Sequence, residues 1–330
     1  MHHLRHIYLI LFSLFMFAAC RPVAPRLDMP IKECASAPEG RACAAVFVVA
    51  DKAYIIGGRL ADGSYCDHIL CYDIPSDTWT DIGAAPFKPR VNATACTLNG
   101  KGYVGLGFAG GSIYDDKNRY TDFWQFDQAA NQWQRLADFP SPNSDRGVAL
   151  TEDGYIHIGY AFAHNYRRDF YTYDIANDSW QMIEQHIGGF DYPSRAFAAC
   201  GATCSGRHFV GTGFRQESLD FWAEFFPHEA QWRKCREVPG GGRHDAACTA
   251  TDKYIYVVGG CHYGDPLTNG YYFDDILRYS PDNDDWAVCG TIPAGKLQNM
   301  ITFTYNGKVY FGLGEDADNI VTNKMYCIEE

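Results

Sequence analysis

The sequence predicts an all-β fold built from six repeats, and two patterns predict it. In five segments an aromatic residue is followed by Trp seven positions later, and six apolar strands end in glycine at intervals of about 50 residues. The composition agrees with strands and tight turns, because only 21% of the residues are charged and the chain holds 7 Trp, 22 Tyr, 21 Phe and 32 Gly. The same numbers exclude a disordered chain and a coiled coil.

Each aromatic–Trp pair surrounds a short polar turn, such as the Ile74-Pro75-Ser76-Asp77 turn of the first pair, and therefore predicts a β-hairpin. Five of the seven tryptophans lie in this register. The pairs are Tyr72 and Trp79, Phe126 and Trp133, Tyr173 and Trp180, Phe225 and Trp232, and Tyr279 and Trp286.

An apolar strand that ends in glycine lies upstream of each hairpin, and a strand of small residues precedes most of these. The last glycines lie 49, 52, 54, 47 and 54 residues apart, which is the spacing of a repeat fold. The six glycine strands are Tyr54–Gly58, Tyr103–Gly107, Tyr155–Gly159, Phe209–Gly213, Tyr256–Gly260 and Tyr310–Gly314.

These features resemble the kelch repeat, which has four strands, a glycine pair after the second, an aromatic residue in the third and Trp in the fourth. The resemblance covers residues 31–330 and implies a six-bladed kelch-type β-propeller. We expect the glycines to allow close backbone packing near the central axis. We expect the Trp and its aromatic partner to fill the space between neighbouring blades.

The sixth repeat ends after three strands, so its fourth strand must come from elsewhere. An N-terminal segment has the spacing of an outer strand: Ile31, Cys34 and Pro38 correspond to Trp232, Cys235 and Pro239. We therefore expect this segment to close the ring as the outer strand of the last blade, which protects a sheet edge that would otherwise be open.

The first 30 residues follow a different pattern. Ile7 to Ala19 is an apolar run of 13 residues, which is too short to span a membrane and is typical of a signal peptide. Small residues directly before Cys20 resemble the bacterial lipobox; ordinary cleavage that leaves a free Cys is the alternative. We expect a signal peptide at 1–19, a lipidated tether at 20–30, and export to the bacterial periplasm or outer membrane.

Twelve cysteines remain beyond Cys20, a number that invites disulfides in an exported protein. Many occupy equivalent positions in different blades, which we expect to lie too far apart for bridging. We therefore expect mostly small, buried, unbridged thiols. Local bridges, such as Cys66 with Cys71 or Cys200 with Cys204, stay open.

A basic residue lies in the loop that leads into each repeat. One basic group per blade predicts a positively charged ring at the channel mouth, where guanidinium groups would bind a carboxylate. In the alternative, each Arg fixes its own loop by pairing with an acid of the neighbouring blade. The residues are Arg41, Arg90, Arg146, Arg195, Arg243 and Lys296.

The loops after the glycines add aromatic and ionisable groups that suit a polar ligand of sugar size. Tyr160 and Arg215 are candidate ligand-binding residues, and Glu217, His262 and Glu315 are candidate acid–base groups. None carries a motif, so each is alternatively an ordinary residue of the rim.

The net charge of −12 argues against nucleic acid as a partner. The sequence contains no zinc-ligand spacing, phosphate loop or nucleophile elbow, so it predicts neither a metal nor a cofactor. The kelch-type copper oxidases of the galactose oxidase family have seven blades and an adjacent Tyr-His pair. This chain has no Tyr-His dipeptide and six repeats, which disfavours copper oxidase activity.

An exported six-bladed kelch ring with arginines at its channel also resembles the bacterial sialic acid mutarotases (N-acetylneuraminate epimerases). This resemblance implies an acidic sugar held by arginines. A carboxylate or His of the rim would move a proton between the anomeric hydroxyl and the ring oxygen. The alternative is a non-catalytic lipoprotein module of an uptake system that binds an acidic or neutral glycan or a protein.

Overall fold

Six four-stranded antiparallel sheets form the blades of a β-propeller, as the sequence predicts. The computed structural model describes residues 24–112, 115–142, 144–162, 169–183, 193, 195–264 and 270–329. Within these ranges, two small hairpins and one short 3-10 helix, η1 (Asp116–Asn118), lie in the loops. No helix of the described residues is long and apolar enough to cross a membrane.

In the first three blades the strands follow chain order from the innermost to the outermost, after an initial strand β1 (Ile31–Cys34) that belongs to the last blade. Blade one contains β2 (Ala45–Val49), β3 (Lys52–Ile56), β4 (His68–Asp73) and β5 (Thr78–Ala84). Blade two contains β6 (Thr94–Leu98), β7 (Lys101–Gly105), β8 (Phe123–Asp127) and β9 (Gln132–Leu136). Blade three contains β10 (Val148–Glu152), β11 (Tyr155–Gly159), β12 (Phe170–Asp174) and β13 (Ser179–Ile183).

The fourth and fifth blades each carry an extra hairpin in the loop after their second strand. Blade four contains β14 (Cys200–Cys204), β15 (Arg207–Gly211), the hairpin β16 (Phe214–Arg215) and β17 (Glu217–Ser218), then β18 (Trp222–Phe226) and β19 (Gln231–Lys234). Blade five contains β20 (Ala247–Ala250), β21 (Ile255–Val258), the hairpin β22 (Cys261–His262) and β23 (Tyr271–Tyr272), then β24 (Asp275–Ser280) and β25 (Asp285–Thr291). Blade six contains β26 (Ile301–Tyr305), β27 (Lys308–Gly312) and β28 (Met325–Ile328).

The N-terminal strand closes the ring. β1 pairs antiparallel with β28, with Ile31 opposite Ile328 and Cys34 opposite Met325, and so becomes the fourth strand of blade six. The prediction of closure by this segment is confirmed. Closure joins the two ends of the chain in one sheet and removes the free edge of β28.

The core is a ring of six apolar clusters, one at each junction between adjacent blades. The predicted aromatic–Trp pairs lie in these junctions, with ring centroids 4.4–4.9 Å apart. Offset or tilted aromatic pairs at this separation add to the stabilisation from burial itself. The aromatic residues therefore act as spacers between blades, as expected.

A hydrogen-bonded clamp recurs at three of these junctions, where the third-strand aromatic residue is Tyr. In blade one the Asp77 carboxylate accepts hydrogen bonds from the Tyr72 hydroxyl and from the Ala35 N–H, while the Trp79 indole donates to the Ala35 carbonyl. Blades three and five repeat the arrangement with Tyr173, Asp178, Trp180 and Ala137, and with Tyr279, Asp284, Trp286 and Arg236. Each clamp holds the segment that follows the outer strand of the preceding blade.

The expected signal peptide and Cys20 lie outside the described residues, and the expected tether is described from Ala24 onward. There the chain runs beside β25. Leu27 and Met29 donate backbone hydrogen bonds to the carbonyls of Val288 and Cys289. Residues 25–29 thus lie along the outer edge of blade five before β1 begins.

All twelve described cysteines are free thiols, so the two local bridges left open by the sequence are not formed. One expectation about them is wrong. Cys200 and Cys248 occupy equivalent positions on the innermost strands of blades four and five, yet their thiols are hydrogen-bonding neighbours. Blades converge at the axis, so equivalent positions on innermost strands are close, whereas those on outer strands are not.

Candidate functional site

Six residues, one per blade, form a ring at the mouth of the central channel, each just before an innermost strand. All six have a left-handed backbone, with φ between 52° and 59°. Five N–H groups of the ring donate to the carbonyl of the corresponding residue in the preceding blade, at 2.9–3.2 Å. These bonds fix the positions from which the side chains project. The mouth ring consists of Cys43, Asn92, Arg146, Ala198, Asp245 and Asn299.

Two connected spaces lie along the axis. The mouth ring lines a pocket of about 140 Å³. A wider channel of about 670 Å³ continues below it, lined by the innermost strands with small residues such as Ala95, Ala149 and Thr203. Polar and charged groups concentrate at the mouth, so a polar ligand would find its partners there.

An ion pair crosses this mouth. The Arg146 guanidinium of blade three contacts the Asp245 carboxylate of blade five, passing over Ala198 of blade four. Its side chain keeps 26% of its surface exposed. Arg146 therefore combines a fixed position with access from solvent, which is the requirement for binding an anion at the channel.

A second ion pair joins blades one and six at the same mouth. The Arg59 guanidinium contacts the buried Glu315 carboxylate, which also accepts a hydrogen bond of 2.9 Å from the Asn299 side chain. The Arg59 side chain remains 24% exposed. Two partly exposed guanidinium groups, each beside a buried carboxylate, thus face the opening.

Two further ionisable side chains lie beneath these arginines. Burial raises the pKa of Asp145 above its ordinary value, although the neighbouring Arg146 acts in the opposite direction. Burial lowers the pKa of His244, whose Nδ1 lies 2.8 Å from the Ser218 hydroxyl. A carboxyl group that retains its proton more readily than usual is suited to acid–base catalysis.

Arg41, Arg90 and Arg243 lie outside the channel mouth, contrary to the predicted ring. Their side chains are at most 1% exposed and bond within their own blades. Arg90 makes a bidentate pair with Asp122 at 2.8 Å, and Arg243 pairs with Asp275 at 2.6 and 3.0 Å. The arrangement agrees with the alternative in which each Arg fixes its own loop, except that the acids belong to the same blade.

Arg146 differs because Gly159 is not the equivalent of the last glycine in the other blades. The predicted register of the loop before blade three is therefore shifted by two residues. Gly159 pairs with Val148 as Gly105 pairs with Thr94, so Gly159 corresponds to Gly105, two residues before the last glycine, and Ala161 corresponds to the last glycine. The buried arginines therefore correspond to Ser144, which accepts a hydrogen bond from Gly107 just as Arg90 does from Gly58. Arg146 belongs to the mouth ring instead.

The other predicted residues lie in three places. Tyr160 is fully buried against Phe170, Phe221 and Trp232, and so is not accessible to a ligand. Arg195 and Lys296 are exposed in the loops before blades four and six. The remaining three lie in the extra hairpins, with Arg215 opposite Glu217 in the backbone register of one and His262 stacked on Tyr271 in the other.

Counting back 15 residues from each last glycine, with Ala161 in blade three, identifies the whole mouth ring. This signal was present in the sequence but was obscured by the more frequent Arg two positions earlier. Asp145 and Arg59 gave no comparable signal, because their roles depend on contacts between blades.

Among the residues that the structure describes, two groups of side chains have donor atoms close enough to hold a metal ion. One is at the mouth, where His244 Nε2 lies 3.2 Å from Cys261 Sγ and 3.8 Å from Asp245 Oδ2. Arg146 already pairs with Asp245, so a cation there would compete with the guanidinium. The second group lies at the opposite face, between blades three and four.

A shallow groove of about 520 Å³ lies beside the mouth, between blades one and two. Tyr65 and Tyr120 line it together with Lys88 and the backbone of Gly110 and Gly111. Aromatic faces next to polar groups are suited to carbohydrate rings.

Comparison with known families agrees with this architecture. A family model described as the KLHDC2/KLHL20/DRC7 Kelch-repeats domain matches residues 28–213, more than half of the chain. A Kelch motif model matches residues 242–293.

Curated relatives fall into two groups. Kelch-like protein 35 of Mus musculus is 33% identical over 37% of this chain and 19% of its own length. Kelch-like protein 23 of Homo sapiens is 22% identical over 77% of this chain and 42% of its own length. N-acetylneuraminate epimerase 1 of Escherichia coli O6:H1 is 24% identical over 63% of this chain and 48% of its own length. The matches thus span less than half of each of these relatives.

Among solved structures, one described as "Structure of YjhT" superposes with a TM-score of 0.73 at 15% identity, covering 90% of this chain and 97% of that one. At this identity the likeness concerns the fold alone.

Proposed function

The chain belongs to the family of Kelch-repeat domains, and from this premise we propose that it binds an acidic sugar at the channel mouth and interconverts the anomers of N-acetylneuraminate. The observation that carries the proposal is the pair of partly exposed guanidinium groups, Arg59 and Arg146, fixed at the mouth beside buried carboxyl groups. The relatives named N-acetylneuraminate epimerase support the choice of sugar acid and reaction.

In this proposal Arg146 binds the sugar carboxylate. Guanidinium donates two parallel hydrogen bonds to a carboxylate, and the partial burial of the mouth strengthens them relative to water. Before binding, the Arg146 guanidinium pairs with Asp245, so its charge has a partner. The ligand carboxylate then replaces Asp245 at part of the guanidinium. Tyr65 and Tyr120 provide aromatic faces for the rest of the sugar.

Anomer exchange requires the ring to open and close. A base takes the proton of the anomeric hydroxyl while an acid protonates the ring oxygen, the bond between the anomeric carbon and the ring oxygen breaks, and re-closure reverses both transfers. We assign the acid to Asp145, whose pKa burial raises, and the base to Glu315. Both side chains are buried beside the mouth.

Exchange NMR on N-acetylneuraminate with micromolar protein tests this function. We expect catalysed exchange between the α and β anomers, reduced about 100-fold or more in Asp145→Asn. Arg146→Lys should weaken sugar binding about 10-fold or more, because Lys cannot form the bidentate pair. The control is Arg135→Ala, an exposed Arg of blade two. Exchange at the buffer rate with correctly folded protein would exclude the enzyme.

A non-catalytic module is the second candidate. The specific observation in its favour is that both guanidinium groups of the mouth already have a carboxylate partner, which is an arrangement stable without substrate. Saturation transfer from protein to sugar without anomer exchange would support this candidate. Export and lipid attachment at Cys20 remain part of both proposals.

A further inference from the structure

Four side chains converge on the face opposite the channel mouth, at the junction of blades three and four. Glu152 ends the innermost strand of blade three and His157 lies on the next strand, β11. His208 lies on β15 of blade four, and His228 lies in the turn between β18 and β19. The strand turns bring these residues together from four separate segments of the chain.

The donor atoms of Glu152, His157 and His208 all lie within 4.8 Å of one another, and His228 approaches the same carboxylate from the turn. The Glu152 carboxylate lies 3.2 Å from His157 Nε2, 3.5 Å from His208 Nε2 and 2.8 Å from His228 Nε2. Around a tetrahedral zinc ion with bonds of about 2.0–2.1 Å, neighbouring donor atoms are about 3.3 Å apart. Glu152, His157 and His208 are therefore close enough to share one ion, and the exposed His228 side chain would move to complete the shell.

The two buried histidines are oriented toward a common point. His157 Nδ1 lies 2.9 Å from the Thr172 hydroxyl, and His208 Nδ1 lies 2.9 Å from the Thr203 hydroxyl. A hydrogen bond at Nδ1 fixes the ring and leaves Nε2 to bind a metal, which is the arrangement found around protein metal ions.

Two facing atoms of the cluster, His157 Nε2 and Glu152 Oε1, lie within ion-pair distance but make no hydrogen bond among the described residues. His157 is 1% exposed, and its Nε2 is buried without a hydrogen bond among the described residues. A buried polar atom without a hydrogen bond costs free energy, and a bound cation in front of it removes that cost. This atom is aimed at Glu152, whose Oε1 is also buried and without a hydrogen bond.

We propose that Glu152, His157, His208 and His228 bind one Zn²⁺ ion and thereby cross-link blades three and four. Three imidazoles and one carboxylate are ligands that zinc prefers, and four protein ligands make a closed, structural site. Among the described residues the ion-pair partners of Glu152 are histidines, whereas Asp245 at the mouth pairs with Arg146.

The sequence gives no signal for this site, because its ligands have no short spacing. Glu152 and His157 are five residues apart on two strands, and His208 and His228 come from the next blade. Only the pairing of blades brings the donors together.

The test is metal titration of the purified full chain after removal of metal with a chelator. We expect one equivalent of Zn²⁺ by elemental analysis and a higher Tm with metal than without it. Co²⁺ should give the strong visible absorption of a four-coordinate ion with nitrogen and oxygen ligands. Absence of metal uptake by the folded protein would overturn the proposal.

His228→Ala is the first variant, because its side chain is 68% exposed and its loss leaves the core intact. We expect it to weaken Zn²⁺ binding about 10-fold or more, since even changes behind the ligands cost 10- to 100-fold. Thr203→Val, which removes the hydrogen bond to His208, should weaken binding to a similar extent. His68→Ala, an exposed His of blade one, is the matched control.

The remaining possible result is that the ion binds at the channel mouth, to His244, Asp245 and Cys261. If the ion binds there, Co²⁺ shows a sulfur-to-metal charge-transfer band that Cys261→Ser removes, and His228→Ala binds as well as the unmodified chain. Either result would overturn the assignment to blades three and four.

Discussion

Single residues at the loops leading into the blades divide into two classes with opposite chemistry. Arg41, Arg90 and Arg243 are enclosed by carbonyls and carboxylates of their own blades. Arg146, two positions further along the loop, is partly open to the channel. A displacement of two residues in the chain therefore separates a structural guanidinium from one that a ligand can reach.

Arg90→Ala should lower the free energy of unfolding by about 3–5 kcal/mol at neutral pH, because it leaves the largely buried Asp122 carboxylate without its partner. Chemical denaturation measures the difference. Arg135→Ala breaks an exposed pair with Asp138 and should change stability by at most about 1 kcal/mol. Equal effects of the two substitutions would contradict the structural role of Arg90.

The same pair predicts a pH dependence. Burial alone would raise the pKa of Asp122, but the Arg90 pair lowers it overall. A lowered folded-state pKa stabilises the protein above the ordinary Asp value of about 3.9, and this contribution is lost as the pH falls through the lowered value. The stability difference between Arg90→Ala and the unmodified chain should therefore shrink below about pH 4.

At the scale of elements, the junctions between blades alternate. Blades one, three and five carry Tyr with an Asp clamp, whereas blades two and four carry Phe126 and Phe225, which have no hydroxyl group to donate. The Tyr–Asp clamp thus recurs at every second junction, and the two junctions with Phe lack this clamp.

Tyr279→Phe should destabilise the protein by about 1–2 kcal/mol, because Asp284 loses one of its two donors at the junction of blades four and five. Tyr155→Phe is the matched control, since the Tyr155 hydroxyl makes no hydrogen bond among the described residues. Thermal unfolding of both variants measures the difference. Identical Tm values would show that the clamp adds nothing to packing.

At the scale of the whole molecule, stability depends on closing the ring. Deleting residues 1–37 removes β1, its pairing with β28 and the Ala35 partner of Trp79. We expect a loss of at least about 3 kcal/mol, or about 5–10 °C in Tm, relative to a chain that lacks only residues 1–23. Light scattering should also reveal association through the exposed β28 edge. Equal stability of the two chains would contradict closure by β1.

The fold was predictable because each blade repeats the same local pattern. The number of glycine strands and aromatic–Trp pairs therefore indicates the number of blades. The site was predictable only in part. The proposed site includes Arg146 and Glu315, which the sequence singles out, and Asp145, Asp245 and Arg59, which it does not, because pairing across the channel depends on which blades face each other. The buried arginines were misplaced, since spacing alone does not show on which side of a loop a side chain lies.

The mouth ring also has a consequence for the side chains that this surface can carry. Its six side chains project from a backbone whose geometry is set by left-handed φ angles and by hydrogen bonds to neighbouring blades. Cys, Asn, Arg, Ala and Asp already occupy it in one molecule. The backbone at these positions therefore accepts side chains of different size and charge without a change in its own geometry.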